Sequence, residues 1–358
     1  MKVFVLTDSP SPYQVELFNE IATHGDCELR VGYLRSRDPL RQWTPPRLLH
    51  EAINLDCGGG GMGQAREAAR ESDLVVFNYY FHPHATELIG ERAASGGPWC
   101  FWGERPGFRQ PAWAAWGGRL LRRWKLARLH QSSVPIWGIG KFAIDEYRRE
   151  FGPQRPYFNL PYFSDLRRFE RETRNGRDER VFLFSGSLIA RKGIDLMARA
   201  FVQLACEFND VRLRIAGDGE LRQGLVQLLR PVSDRVEFTG FKNWDELPEL
   251  YASADVLCVP SRYDGWGLVV PEGLASGLPV IATDRMGAAL EFVRTGINGW
   301  LLPASDEMAI LQAMREAMRL KKDPLVVLSR GARESVKEHT LKHGSEQFIR
   351  FARETIGV

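Results

Sequence analysis

No two cysteines stand in C-x-x-C spacing: Cys27, Cys57, Cys100, Cys206 and Cys258 are scattered and odd in number, which argues against a disulfide framework and a cysteine-built zinc site. A reducing compartment, and a cytoplasmic protein, are expected. Charge of one sign is lacking as well, because 48 Lys+Arg against 45 Asp+Glu leave a net charge of +3, and nothing in that balance calls for a nucleic-acid partner. There is no run of eighteen apolar residues, so no segment is expected to span a bilayer. The apolar start is broken at Asp8, Ser9 and Pro10 and reads as a first strand, not as a leader. No repeat of 20 to 50 residues occurs. The turn after that strand, Ser9-Pro10-Ser11-Pro12, is not G-x-G-x-x-G, which disfavours a dehydrogenase.

What the sequence has is length and alternation. Its 358 residues exceed what one core serves, and 44% apolar residues can fill two. Short apolar runs alternate with helical patterns, the mark of parallel sheets covered by crossover helices. Strands are expected over 3–7, 29–33, 74–77, 99–102 and 135–138, with helices over 13–22, 64–71, 83–94, 113–130 and 141–151. A Pro-rich and then charged stretch, 153–180, is the linker. After it strands are expected over 181–185, 212–216, 236–239, 256–259 and 280–283, with helices such as 193–208 and 221–229. The expected architecture is α/β: two Rossmann-like doubly wound domains facing a central cleft, residues 1–163 and 164–340, with a C-terminal helix over 341–358 returning to the first domain.

Two constellations carry chemistry. Gly186-Ser187-Leu188-Ile189-Ala190-Arg191-Lys192-Gly193 follows the first strand of the second domain, where turn amides, the dipole of the following helix and two cations suit a diphosphate; a surface turn with solvated charges is the plainer alternative. In Asp264-Gly265-Trp266-Gly267-Leu268-Val269-Val270-Pro271-Glu272, two carboxylates eight residues apart flank a glycine-rich loop at a strand's C-terminal edge, and the glycines let backbone approach a ligand.

The second stretch resembles the E-x7-E block of family 4 GT-B glycosyltransferases, and the first resembles their diphosphate loop. The likeness runs through Ile215-Ala216-Gly217-Asp218-Gly219, Val236-Glu237-Phe238-Thr239-Gly240-Phe241 and Gly296-Ile297-Asn298-Gly299. It covers all of the second domain, and the first more loosely. It implies a retaining, metal-independent hexosyl- or other glycosyltransferase that moves sugar from a nucleotide diphosphate sugar, UDP- or GDP-linked, to a hydroxyl acceptor (a glycan, a lipid-linked or a small molecule), as in polysaccharide biosynthesis. By the same resemblance the first domain holds the acceptor and the second the donor. Lys192 pairs with the diphosphate, Glu272 accepts from the ribose, Asp264 faces the donor sugar, amides of Gly265, Trp266, Gly267, Leu268 and Val269 bind sugar or phosphate oxygens, and Gly217 and Phe241 border the base.

Three departures stand out. Ser187 occupies the place of an Arg, with Arg191 as a possible replacement for the charge; Asp264 is one methylene shorter than the family's Glu; and Pro10-Ser11-Pro12-Tyr13 replaces paired glycines. In the first domain His82 is a candidate against the donor sugar, or else a helix-capping residue. Glu104 is a candidate acceptor base, or else the partner of Arg105 or Arg109. The basic and aromatic segment 113–130 suits an anionic membrane surface or a phosphorylated acceptor, or is an ordinary solvated crossover. Two other classes stay open: a nucleotide-sugar epimerase or hydrolase of the same fold, and a non-catalytic donor-binding subunit.

Overall fold

The computed structural model describes residues 1–37, 43–56, 60–105, 123–124, 126–170 and 179–358. In chain order the elements are β1 (Lys2–Thr7), α1 (Pro12–Ala22), β2 (Glu28–Tyr33), β3 (Glu51–Asn54), α2 (Gly61–Glu71), β4 (Leu74–Phe77), α3 (Pro83–Ala94), β5 (Trp99–Gly103), α4 (Ala127–His130), β6 (Ile136–Gly138), α5 (Lys141–Phe151) and β7 (Tyr157–Asn159). There follow β8 (Arg180–Ser185), α6 (Ile194–Glu207), β9 (Val211–Ala216), α7 (Arg222–Leu228), β10 (Val236–Gly240), α8 (Leu247–Ala252), β11 (Val256–Val259), α9 (Val269–Ala275), β12 (Val280–Thr283), α10 (Gly287–Phe292), β13 (Gly299–Leu302), α11 (Glu307–Arg319), α12 (Lys322–Val336) and α13 (Leu341–Ile356). The helix expected over 113–130 lies outside the described residues except for 123–124 and 126–130, and so does 171–178 of the expected linker.

The chain divides into two compact units, Met1–Asp165 with Thr340–Val358, and Leu166–His339. In the first unit seven strands lie in the order β3-β2-β1-β4-β5-β6-β7, each neighbouring pair parallel. Strands buried on both faces read as unbroken apolar runs, as in Val3, Phe4, Val5 and Leu6, all without exposure. Helix α1 opens on Ser11 with Pro12 at its first position, where a missing N–H costs nothing. Helix α13 packs on α1, and its Phe348 sits edge-on to Trp137 with ring centroids 5.3 Å apart. Burial of such aromatics is worth about 1.5–3 kcal/mol each.

The second unit's six parallel strands run β10-β9-β8-β11-β12-β13. Its core joins Phe182, Phe184 and Ile215 of the sheet to Met197, Phe201 and Leu204 of α6 and to Ile310 and Met314 of α11. In both sheets the strand order reverses at one place, between β1 and β4 and between β8 and β11. Loops leaving the C-terminal ends of such a strand pair diverge to opposite faces, and the crevice between them is where doubly wound sheets hold ligands.

Candidate functional site

The two motif loops of the second unit leave the strands on either side of its switch point. Residues 186–193 follow β8 and residues 260–268 follow β11, so sequence segments about 70 residues apart are neighbours by topology. Their backbones are laced together. Arg262 N–H donates to the Arg191 carbonyl at 2.9 Å, and Arg191 Nη1 donates to the Tyr263 carbonyl at 2.9 Å. Arg262 grips Asp195 with both guanidinium nitrogens at 2.7 Å, and these bonds hold the Asp195 carboxyl below its usual range. Gly193 makes the closest approach: it has φ +70°, and a Cβ there would lie 1.9 Å from the Pro260 carbonyl oxygen, so only glycine fits.

Charge is concentrated where the loops meet. Lys192 Nζ forms an ion pair with Asp264 Oδ2, and Arg191 Nη1 stands 3.7 Å from Asp264 Oδ1. The structure thus brings together Arg191, Lys192 and Asp264, three of the residues singled out by sequence. Asp264 is fixed through its backbone, which donates to the Arg285 carbonyl at 3.0 Å. Gly217 donates to the Gly240 carbonyl at 2.7 Å, with φ +128° and the Gly186 carbonyl 1.9 Å from where a Cβ would be, which draws the ends of β8, β9 and β10 into one surface. Phe241, just beyond β10, is 39% exposed.

Beyond Gly265 the chain enters α9. Trp266 is buried against Phe292 and His339, while Gly267, Leu268 and Val269 precede the helix's first donors, Val270 and Glu272. Glu272 is buried in α9, and its Oε2 accepts a hydrogen bond from the Tyr251 hydroxyl at 2.8 Å. Sequence reasoning passed over Tyr251, which sits in a short apolar helix with no motif of its own.

His82 and Glu104 belong to the first unit. His82 caps α3, its Nδ1 accepting from the His84 N–H at 3.3 Å; partial burial, then the charges of His84 and Arg35, lower its pKa. The Glu104 carbonyl accepts from the Tyr147 hydroxyl. Arg105, an alternative partner for Glu104, pairs with Glu146 at 3.3 Å and lies over the Phe142 ring. At this unit's switch point Asn78 Oδ1 accepts from Thr7 Oγ1 at 2.9 Å and from Gln14 Nε2 at 2.6 Å, while its Nδ2 donates to the Trp102 carbonyl at 2.9 Å.

Two Rossmann-like sheets, one bearing a cationic loop and a carboxylate at its switch point, define the GT-B class of glycosyltransferase folds. The chain overlays sucrose-phosphate synthase from Thermosynechococcus elongatus with a TM-score of 0.78 and 19% identity, covering 100% of this chain and 99% of that one. It overlays Anabaena HepE in complex with UDP and glucose with a TM-score of 0.74 and 16% identity, covering 99% and 100%. Residues 167–335, just under half of the chain, match the family described as glycosyl transferases group 1. An uncharacterised glycosyltransferase of Methanocaldococcus jannaschii is 38% identical over 36% of this chain, and the alpha-D-kanosaminyltransferase of Streptomyces kanamyceticus 30% identical over 51%. A GDP-mannose-dependent alpha-(1-6)-phosphatidylinositol monomannoside mannosyltransferase of Mycolicibacterium smegmatis is 28% identical over 57%. The matched stretches span 34%, 50% and 58% of those relatives' own lengths. No helix of the described residues is long and apolar enough to cross a membrane.

Proposed function

We propose that the chain is a retaining glycosyltransferase that moves a glycosyl group from a nucleoside diphosphate sugar to an acceptor hydroxyl without a metal ion. The observation that carries this reading is the Arg191–Lys192–Asp264 cluster at the switch point of the family-matched unit. In the reaction the bond between the anomeric carbon and the diphosphate oxygen breaks, and positive charge grows at the anomeric centre while negative charge grows on the leaving group. Lys192 and Arg191 stabilise the latter together with amides of Ser187, Gly267 and Leu268, and Asp264 faces the former. The acceptor oxygen bonds to the same face, its proton passing to the departing phosphate. Glu272 accepts from the ribose, and Gly217 and Phe241 border the base. The first unit holds the acceptor, with Glu104 as the base at its hydroxyl and His82 as the residue against the donor sugar.

UDP and GDP are the nucleotides to try: the HepE complex contains UDP, and the mycobacterial relative is named for GDP-mannose. Basic residues within 113–130 fit a peripheral contact with an anionic membrane and a lipid-linked acceptor. Incubating the protein with UDP- and GDP-sugars, with and without glycan and lipid acceptors, tests the reading. A glycosylated product that retains the donor's anomeric configuration is expected. Free sugar or an epimerised donor as the sole product, whatever acceptor is present, would contradict it.

A further inference from the structure

Glu272 is only 4% exposed, and a carboxylate so buried needs hydrogen-bond partners that also fix its direction. One is Tyr251, itself 1% exposed, whose hydroxyl donates to Oε2 at 2.8 Å. Ser185, the last residue of β8, is a polar neighbour of the same phenol. The phenol therefore joins α8 to α9 and lies beside the strand end that opens the cationic loop. Its ring is held edge-on by Phe169 at 5.3 Å and 84°. Burial, then the neighbouring Glu272 charge, raises the Tyr251 pKa well above its ordinary value, so the phenol stays a donor.

We propose that Tyr251 is a positioning residue for ribose recognition: it pins one oxygen of the Glu272 carboxylate so that the carboxylate meets the ribose hydroxyls of the donor in a fixed orientation. This rests on the donor-site reading above. A carboxylate held at one oxygen cannot swing away from a diol, so its hydrogen bonds to the ribose form without loss of rotamer freedom. The cationic loop binds the diphosphate independently of this contact. Loss of the phenolic hydroxyl therefore weakens ribose recognition selectively and leaves diphosphate binding intact.

The experiment measures, on the full chain, the dissociation constants of UDP and GDP and of their 2′-deoxy and 3′-deoxy counterparts. In the wild type the ribonucleotide is expected to bind about tenfold more tightly than a deoxy form, the worth of one hydrogen bond to a charged group. In Tyr251→Phe the preference should shrink to about two- to threefold while the deoxy forms bind as before. Ser185→Ala, which removes a polar neighbour of the same phenol and keeps the phenolic hydroxyl, should give an intermediate preference and serves if Tyr251→Phe does not fold. An unchanged preference in the variants overturns the proposal. So does an equal loss for ribo and deoxy forms, since that is what a purely structural role gives. Wild-type protein that binds no nucleoside diphosphate contradicts the donor-site reading instead, and the two failures are distinct.

Discussion

The two switch points of this molecule share a strand order and differ in what fills them. Between β8 and β11 the crevice is bordered by glycines that bring backbone close and by Arg191 and Lys192, with Asp264 as their counter-charge. Between β1 and β4 the equivalent place holds a network of amides and hydroxyls, in which Ser11 Oγ donates to Gln14 Oε1 at 2.8 Å, Gln14 and Thr7 donate to Asn78, and Asn78 reaches the Trp102 carbonyl, beside an acidic residue, Asp8, paired with Arg35 at 3.4 Å. Cations and close backbone suit a phosphate, whereas amides and hydroxyls already bonded to one another offer an anion far less. The same strand order thus carries a glycine-lined cationic loop in one unit and a polar side-chain network in the other.

The largest expected effect comes from breaking the close approach in the second unit. Gly193→Ala places a methyl against the Pro260 carbonyl at positive φ and should destabilise that unit by about 3–4 kcal/mol in chemical denaturation. A loss under 1 kcal/mol would mean the two loops are not locked as described.

In the first unit the sensitive group is His50, whose Nδ1 donates to Asn19 Oδ1 and whose Nε2 accepts from the Tyr33 hydroxyl, both at 2.8 Å. Burial lowers its pKa from 6.5 to about 4. The unfolded chain binds this proton below pH 6.5 and the folded chain only near pH 4. The stability from neutral His50 is therefore whole above pH 6.5 and is lost as pH falls towards 4, by about 3 kcal/mol in all. Denaturation at stepped pH should show this decline, and His50→Gln should flatten it.

A smaller effect distinguishes the two edges by charge. Asp264 holds the Lys192 ammonium that the proposed donor diphosphate needs, so on that proposal Asp264→Asn should tighten nucleoside diphosphate binding about fivefold while slowing turnover. Weaker binding in that variant would place Asp264 among the contacts of the nucleoside diphosphate itself. Smallest is Asn78→Asp, which puts a charge into the amide and hydroxyl network of the first unit: donor affinity should stay within about twofold while the KM for acceptor rises. A changed donor affinity would break the division between the edges.

The apolar runs over 74–77, 256–259 and 280–283 were readable because a central parallel strand shows nothing but buried side chains. Strands β3, β7 and β13 were not expected. They lie at sheet edges, where Glu51 and Asn54 face solvent and Tyr157–Asn159 is too short to show a period. The cationic loop and the loop after β11 stood out because turn chemistry is local, and glycine and charge spacing carry it. The pairing of Lys192 with Asp264 spans 72 residues, and that of Tyr251 with Glu272 spans 21. Such contacts exist only once the strand order is known, which is why Tyr251 left no trace in the pattern.

The central claim is that the cationic loop after β8 holds a nucleoside diphosphate. Calorimetric titration of UDP and of GDP into the wild type and Lys192→Ala tests it most directly. One of the two nucleotides should bind the wild type, and its affinity should fall at least tenfold in the variant, the loss of a charge-assisted contact worth about 1.5–3 kcal/mol. Binding of neither nucleotide, or equal binding by both proteins, would contradict the account.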